Sequence, residues 1–251
     1  MLLLLPALAR AQSAQPLPTI VLVHGFWDRP AGWNGVAPRL SEAGYPVVVP
    51  DNPLRTVWGD AAAISRVLHG VTGPIVLVGH SYGGFVITNA ALYNPRVKAL
   101  VYIAAFAPEQ GESALGLTTQ SPGSVLLPAL VPTPFVGPDG KVGVNTIINP
   151  LLFSTVFAQD APSRTAREMA THQRPATLAS GSGKSGIAAW RSIPSWYMVA
   201  RNDRAIPPAV ERFMAQRAHA TTIEIASSHA VPEAHPAEVA DFILSAARAA
   251  Q

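Results

Sequence analysis

Six short apolar runs recur along this chain, each closed by turn residues and separated from the next by a stretch of helical periodicity. They cover residues 19–23, 46–49, 75–78, 99–103, 195–199 and 222–225. Runs so short and so continuously apolar suit strands buried on both faces. The helical patterns between them, at 34–43, 57–68, 85–93, 208–218 and 236–249, supply the crossovers that parallel strands need. The alternation predicts an α/β fold, a mainly parallel sheet of about six strands with helices on both faces. With 251 residues, 49% of them hydrophobic, one domain can bury such a core.

One interval breaks the rhythm. Residues 108–191 are rich in Pro, Gly, Ser and Thr, with short helices predicted at 150–157 and 163–172. An excursion of that length in a compact domain reads as a lid over a site. It leaves residues 12–107 and 192–251 as the core.

Charge and cysteine content narrow the chemistry. Charged residues are only 13% of the chain, and the net charge of +3 comes from 18 scattered basic and 15 acidic side chains. No basic run could track a phosphate backbone, so nucleic-acid binding is not expected. The chain has no cysteine, which removes disulfides, thiolate metal sites and thiol nucleophiles together. At the N-terminus, residues 2–8 are apolar and Ala9-Arg10-Ala11 fits an A-x-A cleavage site before Gln12. Residues 1–11 read as a signal peptide, which predicts a secreted or periplasmic protein, or a cytoplasmic one if the N-terminus is not cleaved. The run is far short of the ~20 residues of a membrane span, so stable insertion is not expected.

The third apolar run leads directly into "GHSYGGF". A serine hydroxyl attacks an acyl carbon only when held clear of the backbone with a base in reach. A sharp strand-to-helix turn achieves this but crowds the residues two before and two after the serine. Gly79 and Gly83 relieve that crowding around Ser81, in the G-x-S-x-G pattern of a nucleophile elbow. The turn also aims the Tyr82 N–H at a developing oxyanion. A second donor is expected from the loop after the first run, "HGFWD", where Gly25 lets the backbone approach substrate and Phe26 supplies the N–H.

The base must be a histidine reachable from Ser81. His229 follows the last run by a few residues, on a loop at the same sheet edge, and is the choice among seven histidines. His235 suits the start of the final helix, His80 a packing role, and His24 support of the oxyanion loop. His69 and His219 end helices, where a cation suits the dipole. His172 in the lid has no assigned role. For the acid that orients His229, Asp203 after the penultimate strand is preferred to Glu109, which follows the fourth. The stretch "LASGSGKS" ends like a phosphate-binding loop. It has Leu178 where that motif needs glycine and no preceding strand in the prediction, so it reads as a flexible lid loop.

With these residues in this order, the chain resembles the α/β-hydrolase superfamily. The stretches "LVHGFWDRPAGWNGVAPRLSEAGYPVV", "ALVYIAAFAPEQGES" and "NDRAIPPAVERFM" look like the branch of methyl-salicylate-type esterases, hydroxynitrile lyases and bacterial pyrethroid-hydrolase-like carboxylesterases. The resemblance implies an α/β-hydrolase fold with Ser81, Asp203 and His229 as the triad. Lyases of the branch typically carry threonine at the position of Gly25 and lysine after the histidine, where this chain has Ala230. The resemblance therefore implies a serine carboxylesterase working through an acyl-enzyme, with no cofactor and no metal, on small apolar or aromatic esters. Lyase, haloperoxidase-like and non-catalytic binding roles are the alternatives. Expected pocket walls are Gly25, Phe26, Trp27, Tyr82 and Phe106, with Phe153, Phe157 and Trp190 from the lid.

Overall fold

The computed structural model describes residues 16–137 and 140–250. Six strands, β1 (Thr19–Val23), β2 (Val47–Val48), β3 (Ile75–His80), β4 (Val97–Ile103), β8 (Ser195–Ala200) and β9 (Thr221–Ile225), form one sheet in the order β2-β1-β3-β4-β8-β9. Every pairing in it is parallel. This is the α/β architecture that the apolar runs predict.

Side-chain alternation splits the core in two. Val21, Val23, Leu77, Leu100 and Tyr102 face one way and pack under α2 (Val57–Gly70), α3 (Tyr82–Ala90) and α8 (Pro208–Arg217). Ile20, Leu22, Val76, Val78 and Val101 face the other way, against α1 (Ala37–Glu42) and α10 (Pro236–Ala249). Both faces are covered, so every residue of β1 and β3 is buried. The predicted helix at 34–43 is confined to α1, Ala37–Glu42, and a 3₁₀ turn at Pro30–Trp33 precedes it. The third helix starts at Tyr82, three residues before its apolar periodicity becomes visible.

Residues 108–191 are more ordered than their composition suggests. They contain α4 (Ala114–Thr118), α5 (Phe153–Phe157), α6 (Ser163–Thr171) and α7 (Leu178–Ser182), and an antiparallel sheet of β5 (Leu130–Val136), β6 (Val142–Ile148) and β7 (Ala176–Thr177). The sequence reading misses this sheet because Pro132 and Pro134 look like breakers. They lie on β5, the outer strand, where a missing N–H interrupts no ladder. A short helix α9 (Val231–Ala234) precedes α10. Among the described residues, no helix is long and apolar enough to cross a membrane. The signal-peptide reading falls on residues 1–11, outside the described residues.

Candidate active site

Because the strands are parallel, the loops after β1, β3, β8 and β9 leave the same edge of the sheet, where open α/β sheets place their ligands. Each brings one part of the site. Ser81 turns from β3 into α3 at φ 54° and ψ −125°, a conformation L-residues rarely adopt. The surrounding backbone holds it there: the Ser81 carbonyl accepts from Gly84 N–H and Phe106 N–H. A Cβ on Gly79 would fall 2.5 Å from the Gly83 carbonyl carbon, and one on Gly83 would run into the Val23 carbonyl. The two glycines thus relieve the crowding for which the sequence places them.

His229 Nε2 lies 2.8 Å from Ser81 Oγ, and its Nδ1 lies 2.5 Å from Asp203 Oδ2. All three residues are buried. With Nδ1–H donating to the carboxylate, Nε2 is left as the acceptor for the serine proton. The second oxygen of Asp203 accepts from Ala205 N–H and Ile206 N–H at 2.6 and 2.8 Å, so the carboxylate is fixed from both sides. Glu109 lies elsewhere: it pairs with Arg191, its Oε1 at 3.2 Å and its Oε2 at 2.5 Å from the guanidinium.

Gly25 sits against the elbow. A Cβ there would fall 2.5 Å from Ser81 Cβ and 3.0 Å from its Oγ. Phe26 and Tyr82 stack ring on ring, 3.8 Å apart and 9° from parallel. The Tyr82 hydroxyl donates to Asp60 at 2.9 Å, and burial pushes that phenol well above its usual range. His24 does support this loop: its Nδ1 bonds the Gly25 carbonyl, its Nε2 takes the Asn52 N–H, and the Asn52 side chain donates to the His24 carbonyl. Burial holds His24 down at about 4, so the ring is neutral at neutral pH. Residues 108–191, the cap, brace the loop from outside. Trp27 accepts Arg174 N–H at its carbonyl and donates its indole N–H to the Thr146 carbonyl.

His80 packs between Trp33 and Phe157, as expected of it, but it also does more. Its Nε2 lies 2.8 Å from the His229 carbonyl, which ties the elbow to the histidine loop. Burial pushes it down to about 3, with the nearby His229 adding to the effect, so Nε2–H is the donor of a neutral ring. Nothing in the local sequence signals this partner, which is 149 residues away. His235 caps α10 as expected and lies 3.4 Å from Asp160.

A narrow cavity lies over Ser81 and His229, walled by Phe26, Trp27 and Phe106 from the core and by Leu126, Leu127 and Leu130 from the cap. Gly25 and the buried Tyr82, also expected as walls, do not line it, and three expected walls from the lid lie elsewhere. Phe153 and Phe157 line a neighbouring cavity of about 250 Å³ with Asp28 and Glu233. Phe157 instead backs the His229 ring edge-on at 4.6 Å and accepts the Ala230 N–H. Trp190 lines an outer groove beside Glu109 and Arg217, where its indole N–H is taken by the Pro108 carbonyl. The reason is common to all three: α5 and the turn at 189–191 pack down on the core, and β5 with its preceding turn closes over the serine. The stretch at 178–185 also differs from its reading. It follows the two-residue strand β7 and begins as α7, capped by Thr177 Oγ1 on Ser180 N–H, with Leu178 and Gly181 facing the cavity.

This arrangement agrees with an independent line of comparison. A model of the alpha/beta hydrolase family matches residues 20–242. The chain belongs to the alpha/beta hydrolase family. Among similar alpha/beta hydrolases, a carbendazim hydrolyzing esterase of Nocardioides sp. is 32% identical over 185 residues, 64% of this chain and 74% of that one. A pyrethroid hydrolase of Sphingobium wenxiniae is 28% identical over 250 residues, 89% and 86% of the two chains. The crystal structure of polyneuridine aldehyde esterase superposes with a TM-score of 0.79 at 20% identity, covering 92% of this chain and 99% of that one. At that identity the likeness shows the fold.

Proposed function

We propose that this alpha/beta hydrolase is a serine carboxylesterase that cleaves small apolar or aromatic esters through an acyl-enzyme. One observation carries the reading: Ser81 Oγ, His229 Nε2 and Asp203 Oδ2 form a continuous buried chain, with contacts of 2.8 and 2.5 Å, at the end of β3. The relatives named as a carbendazim hydrolyzing esterase and a pyrethroid hydrolase support the same reaction class.

In the reaction, Ser81 Oγ attacks the ester carbonyl as His229 Nε2 takes its proton. Asp203 keeps Nδ1–H pointed at itself and stabilises the imidazolium. Charge developing on the carbonyl oxygen is met by the N–H groups of Phe26 and Tyr82, whose rings stack on each other. His229 then returns the proton to the departing alkoxide, leaving an acylated Ser81. Water, deprotonated by His229, reverses the sequence and frees the acid. These steps need no metal or cofactor. The leucines of the cap favour an apolar acyl group.

Gly25 and Ala230 argue for hydrolysis over cyanohydrin cleavage, since a side chain at position 25 would collide with Ser81. The test pairs a p-nitrophenyl ester series with mandelonitrile. We expect burst kinetics on the esters, fluorophosphonate labelling of Ser81, and no cyanide above the uncatalysed rate. Efficient cyanide release with negligible ester turnover would overturn the assignment. Export rests on the apolar run at 2–8 and the Ala9-Arg10-Ala11 site, and a mature N-terminus near Gln12 by mass spectrometry is the expected outcome in the native host.

A further inference from the structure

Behind Asp203 stands a second carboxyl that the mechanism above does not use. Glu211 projects from the first turn of α8 and is completely buried. Its Oε2 accepts the Ala200 N–H at 3.1 Å, at the end of β8, three residues before Asp203. Its Oε1 meets no donor. The nearest charged neighbour of this buried, half-unpartnered carboxyl is Asp203, whose charge acts on it directly.

Two carboxylates cannot hydrogen-bond each other unless one holds a proton. Asp203 already accepts three N–H bonds, from Ala205, Ile206 and His229, all of which favour its charged form. Glu211 accepts one. Other groups near Glu211 are Tyr197, whose hydroxyl donates away to the Ala105 carbonyl, and Arg212, whose guanidinium is engaged by Glu224 at 2.7 and 2.8 Å. Neither neutralises a Glu211 anion by direct contact.

We propose that Glu211 is a neutral positioning residue, a fourth member of the Ser81–His229–Asp203 chain that donates a carboxyl proton from Oε1 to Asp203. Burial, with the Asp203 charge next to it, pushes Glu211 well above the usual carboxylate range, in keeping with this state. The donated bond fixes the rotation of the Asp203 carboxylate and withdraws charge from it. That sets both the aim of His229 and the affinity of its ring for a proton. Because Glu211 also holds the Ala200 N–H, it couples the last residue of β8 to the acid on the loop beyond. The inference rests on the esterase reading for its kinetic consequence but not for the protonation state.

The experiment uses two substitutions and two readouts. Glu211→Gln keeps the shape, accepts from Ala200 and still donates to Asp203; Glu211→Met fills the volume and does neither. The infrared difference between wild type and E211Q at pH 7 should show a protonated carboxylic acid lost, a readout independent of turnover. On p-nitrophenyl esters, E211Q should keep kcat within about threefold with an unmoved acid limb of kcat/KM. E211M should lose up to about 10²-fold in kcat, as expected for a displaced catalytic group, with KM little changed and the acid limb shifted. An ionised Glu211 in the infrared, or a displaced acid limb in E211Q, overturns the proposal. So does wild-type kcat and acid limb in E211M. If E211M does not fold, E211Q and the infrared difference still decide. Absence of ester turnover in wild type would remove the esterase reading and leave the infrared result standing.

Discussion

The core and the cap hold their shape by different means. In the core, long-range order comes from continuous parallel ladders between buried strands, and the site's reactive atoms sit on the short loops that those strands emit. In the cap, outside the β5–β6 hairpin, short elements are fastened by single bonds. Thr146 Oγ1 donates to the Ala176 carbonyl, Gln173 bonds both N–H and carbonyl of Ile148, and Arg55 reaches the Pro175 carbonyl. Chemistry is therefore placed by the rigid layer, and the space around it by a layer whose contacts can be exchanged one at a time. Changes in the core should abolish turnover, whereas changes in the cap should redistribute it among substrates.

The sharpest break is Ser81→Ala. With the hydroxyl gone, only oxyanion stabilisation and binding remain, and ester turnover should fall by about 10⁴-fold or more. Loss of less than tenfold would remove Ser81 from the chemistry. Next comes the acid: Asp203→Asn should cost up to about 10⁴-fold in kcat, since an amide no longer enforces the His229 tautomer. Glu109→Gln, which only loosens an ion pair with Arg191, should keep most activity. The reverse ranking would relocate the acid. In the cap, Leu130→Ala should leave kcat on a short acyl ester within a few fold and shift preference toward longer acyl chains. About 10-fold per accommodated methylene is the scale of such discrimination. An equal loss on every chain length would show that the cap, too, positions the reacting atoms.

The smallest effect concerns pH and stability. His24 and His80 are held neutral by burial, at about 4 and about 3, both below the ordinary 6.5. The unfolded chain binds these protons first as pH falls, so the stability they contribute is complete above 6.5 and is lost progressively toward 4 and 3. Urea midpoints should drop across that window. His80→Gln, which can still donate to the His229 carbonyl, should drop less steeply, by about 1.4 kcal/mol per pH unit at most. An unchanged slope would mean that His80 stays neutral at no cost.

Much of this was legible in the residues. The central strands announce themselves because burial on both faces demands unbroken apolar runs, and Ser81 because its turn needs glycines at fixed distances. Asp203 and His229 follow from chain order at one sheet edge. Short local rules fail where the partner is remote. The bond from His80 to the His229 carbonyl and the Asn52 brace on His24 join residues that no short window of sequence places together. The β5–β6 hairpin was hidden differently, by prolines that a paired central strand would reject and an outer strand tolerates.

Trp27 ties the two layers together. Its backbone stands at φ 61°, its carbonyl and indole are both bonded to the cap, and its chain neighbour Phe26 carries one of the two proposed oxyanion donors. The cavity beneath holds only about 30 Å³, room for roughly two waters when one needs ~10–15 Å³. An ester must therefore displace cap side chains to enter. Any such displacement that reaches Arg174 or Thr146 pulls on the loop proposed to stabilise the transition state. The cap and the loop proposed to carry an oxyanion donor are thus mechanically linked through Trp27.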